Sequence, residues 1–403
     1  MSHAISSDSQ DLQARVRDAR DKAATPGYEV PIAVDGVDVE AWNHVGDPLC
    51  EALFAELRER KMLSGNVYDS ARRLQRLGSD AAEKFFADVE TVPSWADFDF
   101  MRIGADMGRR NPIGMLFGMH GGLPFTYIDP ATAEVMGSTG RFARGGDYRR
   151  RYWETATGFV GALDVDGMRP GGQRWQAWIR IRFLHTMIRT GILRAGQWDL
   201  TQSMPISQLA TASATHIFGP YRVNIIEYFG GVVSPEERDS FSLMWRWISR
   251  IEGANSELLG CTHAEQLAIS ERMHQYLYAP SDKSRALTMD LVRGSAGMKA
   301  FAMPERMHAA VVRELMSERM VETLPGRDVA TDLGLPRDRL AETSLHALTT
   351  VLRGVNQAQR LPRVRRVAAR RGQQLLDHVV DAGLDHRPAD YRGTAVAGAP
   401  TDR

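Results

Sequence analysis

The stretch WQAWIRIRFLHTMIRTGIL, residues 175–193, constrains the fold more than any other part of the chain. It has the length of a helix and is too long for an ordinary strand. Trp178, Ile181, Leu184 and Ile188 mark one helical face, and Ile179, Phe183 and Met187 mark another. A helix apolar over most of its circumference belongs in the middle of a protein. Yet this one carries Arg180, Arg182, His185 and Arg189. Guanidinium groups stay charged and an unpaired buried charge is very costly, so these arginines need anionic partners or a route to solvent.

Helix-start signals recur along the rest of the chain. Asp47-Pro48 opens an amphipathic run to about Lys61, with proline at the first helical position. Ser234-Pro235-Glu236-Glu237 combines an N-cap serine, an N1 proline and a capping-box glutamate, and heads a helix to about Glu252. Thr262-x-x-Glu265 starts another, to about Tyr278, and Pro304 and Pro336 precede helices expected over 305–320 and 337–353. Regularly spaced strands, repeats of 20–50 residues and a low-complexity linker are not seen. The expected fold class is all-α, with a polar lead-in over 1–45, one helical domain over 46–385 and a loose tail over 386–403. Residues 28–42 (YEVPIAVDGVDVEAW) read as a short hairpin or an extended arm.

Fifty Lys+Arg balance fifty Asp+Glu, so net charge gives no reason to expect nucleic acid or an anionic membrane as partner. The basic run Arg360–Arg371 reads as a solvated helix face, the other reading being a patch for an acidic partner or membrane surface. The N-terminus has neither an apolar h-region nor twin arginines, and no stretch approaches a membrane span, so the expected location is the cytoplasm. Cys50 and Cys261, the two cysteines of the chain, read as buried small hydrophobes.

His185 lies three residues from Arg182 and four from Arg189, so all three project from one side of the helix. An imidazole flanked by cations on an apolar helix suits haem, with iron taking the neutral ring and the propionates neutralising the arginines. With no CxxCH site, such a haem is non-covalent. The other reading is a core histidine bonded to a carbonyl, with its arginines reaching outward. A second stretch, RRRYWETATGFV (149–160), brings Arg151, Glu154 and Thr155 into one turn of a helix that then becomes apolar. It reads either as a pocket with a few oriented polar groups or as a helix starting with exposed charges. His120 lies in a glycine-rich stretch expected at a pocket edge, and His216 follows the small-residue run 210–215, which reads either as a helix lying flat against a porphyrin face or as ordinary close helix packing. No HExxH or paired E-x-x-H pattern supports a non-haem metal site.

Arg151 and Thr155 in R-x-x-x-T spacing, followed by R-x-R-x-L-H (Arg180, Arg182, Leu184, His185), resemble the latex-clearing protein family of bacterial rubber oxygenases. The wider superfamily includes the oxygenase that cleaves the farnesyl chain in mycophenolic acid biosynthesis. VPSWAD (92–97), LP-x-x-Y (123–127), STGRF (138–142), MPISQ (204–208) and the SPEE and WRWI pieces follow in the expected order. The resemblance implies an all-helical fold with a globin-like core and extra helices, and a haem b. It makes His185 the proximal iron ligand and puts Arg151 and Thr155 on the distal side. It also implies oxidative cleavage of an isoprenoid C=C bond by O2 to an aldehyde and a ketone. A glutamate upstream is the family's proposed base, and its candidate here is Glu134, one residue off register. Where rubber oxygenases can carry an iron-capping lysine, this chain has Glu154, which cannot mimic an amine ligand but could act as acid or base. With no secretion signal either, a small apolar substrate taken with O2 is favoured over polyisoprene. The rival functions are another haem enzyme, such as a peroxygenase or a tailoring enzyme of secondary metabolism, and a non-catalytic haem-binding or haem-free helical protein.

Overall fold

Caps and helix-compatible sequence set the architecture. The computed structural model describes residues 7–138, 148–296, 298, 301–387 and 389, and among these there is no strand. α1 (Ser7–Ala23) and α2 (Val39–Asn43) precede three short helices, α3 (Pro48–Glu59), α4 (Val67–Arg76) and α5 (Asp80–Glu90). The centre is built from α6 (Phe98–Arg110), α7 (Pro112–Thr126), α8 (Pro130–Ser138), α9 (Tyr148–Gly161) and α10 (Gln173–Ala195), with α11 (Gln208–Phe218), α12 (Pro220–Tyr228) and α13 (Pro235–Ile251). α14 (His263–Leu277), α15 (Asp282–Ala296), α16 (Glu305–Leu315), α17 (Val329–Asp332), α18 (Arg339–Asn356) and α19 (Pro362–Gly383) complete it.

The start signals work as their chemistry requires. Asp47 accepts from the Cys50 N–H ahead of α3, and both capping boxes, at Ser234 and Thr262, close in both directions. α16 stops at Leu315, five residues short of expectation, and α18 runs from Arg339, behind the cap of Asp338, to Asn356 rather than over 337–353. The lead-in reading needs correction. Residues 28–42 form no hairpin: 28–33 have no regular structure, and a 3-10 turn at Val34–Gly36 then precedes α2. Ala19, Val37 and Trp42 are buried in a small second core with Leu209, Leu258, Ile269 and Met273. STGRF beyond Ser138, and the tail beyond Ala389, lie outside the described residues.

The main core runs from α3 to α19 and is rich in aromatic side chains. α6 lies across α13 and α19. Its crossing with α13 is close because Gly104 has no side chain: its N–H donates to Ser240 Oγ at 2.6 Å, and a Cβ there would stand 2.5 Å from the Phe241 nitrogen. No helix among the described residues is long and apolar enough to cross a membrane.

Candidate functional site

α10 carries the centre of the site, and its buried arginines fix it in place. The Arg182 side chain is 2% exposed. It donates from Nε and Nη2 to the two Asp47 oxygens, at 2.6 and 2.9 Å, and from Nη1 to Asp88 at 2.9 Å. Burial alone would raise the Asp47 carboxyl, but the Arg182 charge and its hydrogen bonds outweigh it, and the carboxyl is held below its usual value. Arg189 donates to the carbonyls of Pro205 and Ile206, at 3.0 and 2.6 Å, and reaches Glu51 at 3.3 Å. The expectation that these two arginines face propionates is therefore corrected: carboxylates and carbonyls of the protein already fill their forks. Arg180 is corrected too, since its guanidinium lies over the Tyr68 ring at 5.3 Å, on a side of the helix turned away from His185.

The apolar face of α10 is incompletely covered. Ile181, Leu184, His185 and Ile188 follow one another at helical spacing and are all only half-buried. His185 is deep enough that burial, with help from the Arg189 charge, pushes its ring down to about 4, so it is neutral at physiological pH. Its Nδ1 is buried and has no hydrogen-bond partner among the described residues. A deep ring with an orphaned nitrogen and an open side differs from a core histidine satisfied by a carbonyl.

Neighbouring helices place their own open residues at the same level. Gly158 of α9 lies over Trp178 and Ile181, and Gly161 over Arg174, so α9 and α10 run antiparallel. Thr155 then comes level with Leu184 and His185, and Arg151 with Ile188. Thr155 is exposed although Glu154 and Ala156 beside it are buried. Glu154 holds Arg151 at 3.1 Å and Arg150 at 3.1 Å. It is a buried counter-ion that orients Arg151. On the other flank, α13 runs parallel to α10, with Trp245 against Trp178 and the Ile251 carbonyl against Arg182. α11 packs antiparallel to α13, with Thr215 bonded to Ser249 and Gly219 against Trp245. This brings the half-buried Ala210, Thr211 and Ala214 of α11 alongside the His185 level.

Glu134 does not join this group. It is an exposed carboxylate paired with Lys283, while the adjacent Val135 is buried, so its assignment as a base is corrected. The carboxyl that sequence reading missed is Glu252, immediately after α13. Burial pushes it up to about 8, the Arg182 charge offsetting part of the effect, yet the residue keeps open surface, as His185 does. Arg222 was missed as well. It is fully buried, stacked on Phe159 at 4.7 Å, and donates to the Met115 carbonyl at 2.8 Å. Its Nε and Nη2 have no partner among the described residues, and burial lowers it to about 10.

His120 and His216 lie elsewhere in the core. His120 sits in a buried chain: Tyr152 O–H donates to His120 Nδ1 at 3.1 Å, His120 Nε2 to His308 Nδ1 at 3.1 Å, and His308 Nε2 to the Phe301 carbonyl at 3.3 Å. The carbonyl can only accept, and this fixes the direction of every donor in the chain. His216 packs against His274, rather than along the open face of α11, and both of its ring nitrogens lack partners among the described residues.

The family described as "ER-bound oxygenase mpaB/B'/Rubber oxygenase, catalytic domain" has a sequence model that matches residues 106–380. The chain belongs to this oxygenase family. The family match spans α9, α10, α11 and α13, and so takes in Arg151, Glu154, Thr155, His185 and Glu252, while Asp47, Glu51 and Asp88 lie before it. The solved structure of latex clearing protein LCP in the closed state is similar to this chain in fold, with a TM-score of 0.63 at 19% identity. That likeness covers 86% of this chain and 91% of that one. No curated relative matches the chain.

Proposed function

We propose that this family member is a haem b-dependent oxygenase that uses O2 to cleave the C=C bond of an apolar unsaturated substrate, with His185 as the residue that would hold the iron. The observation that carries the reading is His185 itself, neutral, deep and open on one side, with an orphaned nitrogen. Its surroundings suit a flat, greasy group. Ile181, Leu184 and Ile188 offer apolar contact, and the small residues Ala210 and Ala214 let α11 stand close to a planar ligand.

Bound haem would supply the binding and activation of O2. The protein's part is positional and electrostatic. Arg182 and Arg189 anchor α10 on either side of His185, so the ring cannot swing away. Thr155 brings a hydroxyl, and Arg151 a guanidinium oriented by Glu154, to the side of the site formed by α9. Both can donate hydrogen bonds to an oxygen in the space between α9 and α10. Burial favours the protonated form of Glu252 at neutral pH, in which its carboxyl donates a hydrogen bond that an amide could also supply. The apolar stripe keeps water from the alkene.

The test begins with reconstitution of the purified full chain with haemin, followed by its absorption spectrum and pyridine haemochrome. A Soret band is expected, and its loss in His185→Ala. A full Soret band in that variant would remove His185 as the residue that holds the iron. Oxygen consumption with squalene, β-carotene or farnesyl compounds, compared with peroxide on the same substrates, then separates an O2-dependent oxygenase from a peroxygenase. Carbonyl products confirm cleavage.

A further inference from the structure

The turn between α18 and α19 has an unusual surface. Among the described residues twelve large hydrophobic side chains are exposed, and seven of them fall between Leu340 and Leu375. Scattered single exposures are ordinary, but such concentration in one segment is not. Val351 is 62% exposed, Val355 65% and Leu361 60%. The same segment is strongly basic. Residues 353–371 contain seven arginines and no acidic residue, in a chain whose total charge is zero. One of them, Arg365, is paired with Glu237. The other six (Arg353, Arg360, Arg363, Arg366, Arg370 and Arg371) are exposed and have no carboxylate partner among the described residues.

The segment is held rigidly from its inner side. Gln359 is buried, accepts from Arg110 Nε at 3.2 Å and donates to Asn356 at 3.1 Å. Gly372 and Leu376 seat α19 against the core, with Gly372 directly against the Arg109 carbonyl. On the outer arc of α19, Arg363, Arg366 and Arg370 form one helical stripe, and Val367, 41% exposed, lies beside it. Cations and exposed aliphatic side chains thus alternate on a preformed surface.

We propose that the α18–α19 turn, residues 351–371, docks this protein onto an anionic phospholipid surface. Arginine headgroups match lipid phosphates and carboxylates, and the valine and leucine side chains match the acyl boundary just beneath. A second copy of the chain fits poorly, because a two-fold contact through this patch would set arginines against arginines. A nucleic acid would leave the aliphatic side chains without a partner. The inference uses no residue of the proposed haem site and stands or falls apart from it.

The test is sedimentation of the full chain with phosphatidylcholine vesicles, with and without phosphatidylserine, at low and high salt. Binding is expected only to the anionic vesicles, and salt should weaken it. Loss of each surface arginine lowers partitioning about fivefold, so R363Q/R366Q/R370Q should lower it about a hundredfold. These side chains are exposed, and the variant should melt with the parent. Replacing Val351, Val355 and Leu361 together by glutamine should weaken binding with the salt response retained. Binding to anionic vesicles no better than to neutral ones overturns the proposal, as does unchanged binding by the arginine variant. An oligomer in light scattering that the arginine variant dissolves would instead make the patch a self-interface. Capture by polyglutamate but not by vesicles would assign it to an acidic protein.

Discussion

Replacing Arg182 by methionine tests the reading of the α10 anchor. The side chains involved are nearly closed to solvent: 2% for Arg182, 6% for Asp47 and 12% for Asp88. Methionine fills much of the volume but removes three charge-assisted hydrogen bonds and leaves Asp47 without its paired cation, while Asp88 keeps Arg250 at 3.6 Å. Breaking a buried pair from one side costs about 3–5 kcal/mol. At about 2.1 cal/mol/K of unfolding entropy per residue, 403 residues give about 0.85 kcal/mol/K, so the expected loss is about 4–6 °C in Tm. The pH dependence carries the mechanism. In the parent, Arg182 keeps the Asp47 carboxyl below its usual value, so that stabilisation is present above the unfolded pKa and is lost as pH falls through the folded one. In the variant, burial raises the Asp47 carboxyl, the folded state takes up a proton first, and the gap between variant and parent narrows as pH falls from 7 to 5. Calorimetry across that range is the assay. Asp47→Asn combined with Arg182→Met should cost less than the two changes added. A variant within 1 °C of the parent, or a gap that stays constant with pH, would refute the reasoning.

Gly104→Ala should destabilise the fold by about 1–3 kcal/mol, because the new Cβ meets the backbone of Phe241, which cannot step aside. Chemical denaturation reads this directly, and no change would mean the α6–α13 crossing is looser than described. Burial lowers His185, His120, His216 and His274 in the folded state, while the unfolded chain protonates such rings near 6.5. Stability should therefore fall as pH drops from 7 to 5, by up to about 1.4 kcal/mol per pH unit for each ring, and a flat profile would count against their burial. Glu252→Gln should retain haem and activity at pH 7 but lose the decline expected above about pH 8 as the parent carboxyl ionises. A variant that keeps that decline would clear Glu252 of the role.

Much of the fold is legible in local chemistry. α10 could be placed from its apolar circumference, and α13 and α14 from their capping boxes, because these signals act within a few residues. The partners of the arginines were not legible. Asp47 lies 135 residues from Arg182 and Asp88 lies 94 residues away, and nothing in their own neighbourhoods marks them as counter-ions. The sequence reading correctly required anions for Arg182 and Arg189, but assigned them to a ligand when the fold itself provides them. Glu134 failed by a single residue: the helix turns Val135 inward and leaves the glutamate facing Lys283. Glu252 reads locally as the polar end of an amphipathic helix, and only the packing of α13 along α10 reveals its depth.

The chain from Tyr152 to Phe301 ties α9 through α7 to the last third of the protein. Tyr152 sits directly after Arg151 on α9, while His120 belongs to α7 and His308 to α16. Each ring in that line donates in one direction, and only Tyr152 O–H has a second acceptor, the Leu116 carbonyl at 3.4 Å, so a shift of α9 would strand the buried His120 Nδ1 or reverse the tautomers. A ligand pressing on α9 would thus send its signal to α16 as a reordering of ring protons. Nitrogen-15 shifts of His120 and His308 would record that message.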